Sequence, residues 1–252
     1  MAVISVDLAF GRWSDLGIVV LERLHPSSAA RPISCEIIVW NDPGTVDANI
    51  LAGRLNHLCG VRGIRVLMLD GPQAWKSSTN GLEHARTCER ELNTAAKTGL
   101  PGLVKPITYR AFAEFCVDVY DGLCRRGWRR LDTRGQPGIP GVRVVAESYP
   151  FAAWKSLGLK PLPSKRRVRV SDLAEAFAAL RAVVQFTVNR PPNHDQLQAI
   201  VGGLPGLALE ERNPDEIRIV GNPPRREEGH WREGFIVLPL PPRPPAALRW
   251  LD

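Results

Sequence analysis

Three acids in this 252-residue chain close short apolar runs, where they could do chemistry together. Val3-Ile4-Ser5-Val6 runs into Asp7, Val66-Leu67-Met68-Leu69 into Asp70, and Val142-Arg143-Val144-Val145-Ala146 into Glu147. Short apolar runs bounded by Gly and Pro predict strands covered on both faces, as in parallel sheets. The carboxyl ends of such strands are where open α/β sheets place their ligands. Several carboxylates on a rigid floor supply the oxygen ligands that Mg2+ or Mn2+ takes. Two such ions about 4 Å apart activate a water and stabilise the leaving oxygen of a phosphodiester. A single strand-end acid is usually structural, and Asp70-Gly71-Pro72 is also an ordinary turn sequence. Three at one sheet edge favour a site.

The elements that must carry these acids follow from the pattern. Residues 3–10, 17–22 and 35–40 read as strands with no helix between them, which predicts an antiparallel meander. Thr45 or Asp47 can cap a helix with an apolar stripe of Ile50, Leu51, Leu55 and Leu58, ended by Gly60 or Gly63. Strand, helix, strand then implies a right-handed crossover. It lays the Asp70 strand parallel to the first and sets Asp7 beside Asp70. Residues 75–136 read as a helical insertion, with helices at 82–97 and 108–126. The second of these has a stripe of Phe112, Phe115, Cys116, Val119 and Leu123. A connection this long is often functional. After the strand at 142–147 come helices at 151–157, at a start capped by Asp172 with Glu175 three residues on, and at 196–202. Asn193-His194-Asp195 opens the last. Late strands at 217–220 and 235–238 precede a proline-rich tail, 239–245, read as an extended arm. The expected organisation is one α/β domain over 1–252, a mixed sheet of meander plus parallel strands flanked by helices.

Composition narrows the partners. With 44% apolar and 23% charged residues the chain is an ordinary globular one, long enough to bury a core unaided. No apolar run reaches the length of a membrane span, and the N-terminus opens directly on a strand, so a cytoplasmic protein without a membrane partner is expected. Five scattered cysteines, with no C-x-x-C pair, point to reduced thiols and against structural zinc. The net charge of +7 favours polyanions. It gathers at Arg125, Arg126, Arg129, Arg130 and Arg134, at Lys165, Arg166, Arg167 and Arg169, and at Arg225 and Arg226. Any one cluster alone reads as solvated surface; together they favour nucleic acid, DNA or RNA.

The order β-β-β-α-β-α-β-α, with acids ending the first and fourth strands, resembles the ribonuclease H-like fold. Within it the chain resembles domain-of-unknown-function family 429, described as predicted nucleases. The resemblance rests on V-I-S-V-D with the later Trp13, V-L-M-L-D-G-P, C-E-R-E-L, A-E-S-Y-P, S-K-R-R at 164–167, N-H-D-Q-L-Q-A at 193–199 and F-I-V-L-P near the end. It covers nearly the whole chain in order. One departure matters: the family's late motif runs D-x-x-D-A, and Gln198 stands where its second acid would. The resemblance implies a divalent-metal-dependent nuclease using Mg2+ or Mn2+. Asp7, Asp70 and Glu147 would be its floor and Asp195 a fourth metal ligand from a helix above, while His194 moves a proton and Lys165 and Arg166 hold a phosphate. Asp195 serves equally well as a plain helix cap, and Lys165–Arg167 as a solvated loop. Two other functions stay open. A catalytically silent nucleic-acid-binding or scaffold protein would keep the frame without the metal. Actin-like kinases and ATPases share the fold but need a Gly-rich turn after the first acid, where this chain has Leu8-Ala9-Phe10.

Overall fold

A computed structural model describes residues 1–23, 32–133 and 141–241. The meander is present: β1 (Ala2–Asp7), β2 (Gly17–Arg23) and β3 (Ile33–Ile38) pair antiparallel in sequence. α1 (Ala48–Arg62) starts at Asp47, whose side chain accepts from the Ile50 N–H, and ends at Gly63, whose left-handed φ of 64° suits glycine. Its crossover brings β4 (Val66–Asp70) parallel to β1. There follow α2 (Thr87–Glu91), the small pair β5 (Lys97–Thr98) and β6 (Val104–Lys105), α3 (Arg110–Arg125) and β7 (Arg129–Arg130). β8 (Val144–Ser148), α4 (Pro150–Ser156), α5 (Val170–Val183), β9 (Phe186–Val188) and α6 (His194–Glu211) lead to a hairpin of β10 (Ile217–Glu227) and β11 (His230–Pro239).

The main sheet runs β10-β11-β8-β4-β1-β2-β3-β9, with β7 sharing the outer edge of β8. Its centre, β3-β2-β1-β4-β8 with β2 antiparallel to both neighbours, is the ribonuclease H-like order. Period-two alternation sorts the strand residues onto two cores. Val3, Val19, Leu21, Val66 and Met68 pack with Leu197, Ile200 and Leu207 of α6. Ile4, Val6, Ile18, Leu67 and Leu69 pack with Leu51 and Leu55 of α1 and Cys116 and Leu123 of α3. Among the described residues no helix is long and apolar enough to cross a membrane.

The longest helix is the one its own residues disguise. α6 continues through Gly202-Gly203-Leu204-Pro205-Gly206, well past the end expected at Gly202. Glycine and proline weaken an isolated helix, but here the glycines face the sheet. A Cβ at Gly203 would lie 2.6 Å from Cβ of Ser5, and one at Gly206 2.7 Å from Cγ of Met68. Close docking selects the residues that local propensity penalises.

Other differences have equally local causes. The helix expected at 82–97 shrinks to α2, because Glu233, wholly buried, takes the N–H groups of Ser77 and Thr87 and the Asn80 amide into tertiary bonds. The buried stripe of α1 is Leu51, Ala52, Leu55 and Cys59, one position round from the expected one, and Ile50 is exposed. α5 begins at Val170, so Asp172 lies in its first turn and accepts from the Arg169 N–H. The late strands are longer than expected, and β9 is a three-residue edge strand too short to show a period. Arg134 and most of the tail at 239–245 fall outside the described residues.

Candidate active site

Register sets the first two acids. Asp7 of β1 pairs with Asp70 of β4, so both side chains leave the sheet edge on the face that α6 covers. On the other side Asp7 pairs with Gly17 of β2. A Cβ on Gly17 would fall 2.2 Å from the backbone oxygen of Asp195, so the first turn of α6 rests directly on the start of β2. Gly17→Ala should therefore push that turn off Asp7. The expected cost is about 1–3 kcal/mol, the scale of overpacking. A thermal melt should fall, and stabilisation by manganese should shrink with it.

The start of α6 aims two more groups. Asn193 is its cap, accepting from the Gln196 N–H, and the Gln196 Oε1 accepts from the Asn193 N–H in return, both at 2.9 Å. Capping is thus done by Asn193, and the carboxylate of Asp195 is left for other partners. It meets Nδ1 of His194 at 3.0 Å and the ammonium of Lys165. Asp7, His194 and Asp195 can each offer a ligand atom such that all lie within 4.8 Å of one another. The basic loop is fastened to this cluster twice. Pro163 O faces Nε2 of His194 at 3.0 Å, and Lys165 bridges Asp195 to Asp15, 3.1 Å away. Arg166 is exposed and joins no ion pair among the described residues.

The electrostatics are those of crowded acids. Burial, then the negative charges of Asp70 and Asp195, push Asp7 well above the usual carboxylate range, with Lys165 opposing. Burial and the charge of Glu147 raise Asp70 to about 7, against a hydrogen bond from Asp7. Each acid thus disfavours ionisation of its neighbour at this edge. Burial works against the charge of Lys165, but Asp195 and Asp15 outweigh it and raise its pKa.

Glu147 reaches the same edge and turns away. Ser148, not Glu147, is the register partner of Asp70; Glu147 pairs with Leu69 and leaves by the opposite face. Arg86 takes its carboxylate with two bonds of 2.7 Å, and the Gln73 N–H adds a third at 3.0 Å. Glu89 binds the same guanidinium at 3.0 and 3.1 Å. All three side chains are almost fully buried. Burial raises the Glu147 pKa, with Arg86 acting against it. A cavity of about 200 Å³ touches both Asp70 and Glu147. Of the four expected metal ligands, then, Asp7 and Asp195 are brought together with His194, Asp70 stands beside Asp7 on the neighbouring strand, and Glu147 is held in an ion pair with Arg86.

Arg86, Glu89 and Asp15 were not identified from the sequence. C-E-R-E-L contains Glu89, but its partner Arg86 lies outside that motif, and the long-range bond is the one from Arg86 to Glu147. One member of the first basic cluster is also not on the surface, although Arg125 and Arg129 are exposed. Arg130 is 4% exposed, bound to Asp121 and to Gln73 O, with its guanidinium over the rings of Tyr120 and Trp231.

The donor set at Asp7, Asp195 and His194, with Asp70 beside Asp7, is rich in carboxylate oxygen, which suits Mg2+ or Mn2+. Crowded acids whose ionisation is disfavoured fit a cation that would offset their charge. No family model matches the chain, and no curated protein matches it. Among solved structures, it is similar to Thermus thermophilus RuvC at 10% identity, over 84% of this chain and 98% of that one, with a TM-score of 0.39. It is also similar to T. thermophilus RuvC in complex with a Holliday junction substrate, at 10% identity over 80% and 89%, with a TM-score of 0.37.

Proposed function

We propose that residues 1–252 act as a single ribonuclease H-like domain that hydrolyses phosphodiester bonds in nucleic acid with Mg2+ or Mn2+, as the resemblance to family 429 implies. The observation that carries this is Asp7, paired with Asp70 on one side and clustered with Asp195 and His194 on the other. Asp7, Asp70 and Asp195 would hold the metal, which supplies Lewis-acid stabilisation of charge on the phosphate. His194, fixed between Asp195 and Pro163 O, is placed to pass a proton to or from water. Lys165 and Arg166 lie on the loop above and supply positive charge for a phosphate. Glu147 could join the metal only by leaving Arg86.

The test is incubation with labelled single-stranded and duplex DNA and RNA, with Mn2+, with Mg2+ and with EDTA. Cleavage that needs the metal and is lost in Asp7→Asn supports the reading; cleavage unaffected by EDTA, or none of any substrate, counts against it. Binding should also weaken steeply with salt, with a log–log slope of about −0.7 to −0.9 for each phosphate contacted. A flat salt profile would remove the electrostatic part of the argument.

A second reading, a catalytically silent nucleic-acid-binding protein, is favoured by one observation: Arg86 and Lys165 already neutralise Glu147 and Asp195. It predicts salt-sensitive binding with no response to manganese.

A further inference from the structure

Beside the acid cluster lies a groove of about 360 Å³ that the hydrolytic reading leaves unused. Its size falls within the roughly 300–1,000 Å³ of small-molecule sites. Trp13, Trp40, Asn41, Arg190, Asn193 and Gln196 line it. Asn193 and Gln196 bracket His194 and Asp195 in the chain, so the groove opens at the start of α6, where the acids meet. We propose that it seats an unpaired nucleotide next to the scissile phosphate, its base stacked on Trp40 and its phosphate held by Arg190. The inference rests on the nuclease reading for the word scissile, and on the groove itself for the rest.

The groove is built to hold an aromatic platform still. Arg54 makes two hydrogen bonds to Asp42, and its guanidinium lies 4.3 Å from the Trp13 ring centre and 5.7 Å from that of Trp40. The two indoles meet edge-on at 5.9 Å. Trp13 is buried, while Trp40 is half-exposed and stands as a ridge between this groove and a second of about 400 Å³ lined by Gly53, His57 and Val61. A base has a π-face whatever its identity, and it can offer that face only when it is not stacked in a duplex. Hydrogen-bond donors stand ready beside the ring. Gln196 is 7% exposed; its Oε1 is used in the cap, and its amide nitrogen has no partner among the described residues. Asn193 likewise spends its oxygen on the cap and keeps its amide nitrogen. Both can donate to a base carbonyl. Arg190 is exposed and joins no ion pair among the described residues, so its charge is free for phosphate.

The test is equilibrium binding of a fluorescein-labelled twelve-nucleotide oligothymidylate and of a blunt hairpin duplex, at low salt in EDTA so that nothing is cleaved. The parent should prefer the single strand. Trp40→Ala should weaken single-strand binding by about 5- to 100-fold, the range of one lost base–aromatic stack, and change duplex binding by less than about twofold. Trp40→Phe should restore most of it. Arg190→Gln, a surface change with no folding risk, should weaken binding and lower the salt slope by about 1. Equal losses for single strand and duplex, or Trp40→Ala binding like the parent, would overturn the subsite. So would an Arg190→Gln variant with unchanged affinity and slope, which decides the matter if Trp40→Ala fails to fold. The two readings fail separately. A parent that never cleaves yet binds single strands through Trp40 keeps the subsite and loses the nuclease. Metal-dependent cleavage with binding indifferent to Trp40 does the reverse.

Discussion

Asp70→Asn is expected to abolish cleavage and yet make the metal-free protein melt higher. The substitution keeps the size and the strand-end geometry but removes one of two crowded acids. Activity should fall by roughly 100-fold or more, the scale seen when one preorganised charge-stabilising group is lost. The stability effect follows from linkage. An aspartate free in the unfolded chain titrates near 3.8, and Asp70 in the fold near 7. Below 3.8 both states hold the proton and the site costs nothing. As pH rises toward 7 the unfolded chain releases its proton first, so the folded state is progressively penalised. The parent should therefore lose stability across that window, and Asp70→Asn should lose less. At pH 7.5 the variant should gain up to roughly 4 kcal/mol, or about 8–16 °C in a chain of this length.

Manganese reverses the comparison. At about 100 times its dissociation constant a ligand of the folded state adds roughly 2.7 kcal/mol, so the parent should climb several degrees and the variant much less. If both proteins climb equally, Asp70 holds no metal. If neither climbs and Asp70→Asn is silent in the melt as well, Asp70 shapes only a turn and the silent-scaffold reading stands.

How much of this was legible in the sequence depended on the range of the interaction. The meander, the crossover and the Asp7–Asp70 pairing follow from runs, turns and handedness, all local, and the structure has each of them. The extent of α6 did not follow, because its glycines are chosen by Ser5 and Met68, nearly two hundred and over one hundred positions away in the chain. The direction of Glu147 was not legible for another reason. Both faces of β8 are apolar, with Val145 on one and Val144 and Ala146 on the other. Alternation therefore carries no parity, and a shift of one residue decides between the face of Asp70 and that of Arg86. Charge was legible in total but not in place: Arg130 counts toward +7 and is buried against Asp121.

Arg86→Met should destabilise the fold more than any surface change, by about 3–5 kcal/mol, because it leaves buried Glu147 and Glu89 without their cation. The loss should depend on pH in a defined sense. Burial already holds Glu147 above its usual range in the parent, with Arg86 opposing. Without the guanidinium, burial is opposed only by the Gln73 N–H, and the folded pKa rises further. The variant then pays its full penalty near pH 7.5 and recovers as pH falls toward 4.5, where protonated Glu147 needs no cation. Melts of parent and variant across that range should converge at the acid end, and Arg86→Met with Glu147→Gln should regain part of the loss at neutral pH. A constant gap at all pH values would mean that lost packing, not the charge on Glu147, sets the cost. The same variant asks whether Glu147 belongs to the metal. Freed from Arg86, a carboxylate beside the cavity it shares with Asp70 could turn to a cation, and the manganese-induced shift would exceed that of the parent. If that shift stays at the parent's value while the neutral-pH melt falls, Glu147 is an ion-pair anchor for the loop that carries Arg86, and the metal is left to Asp7, Asp70 and Asp195.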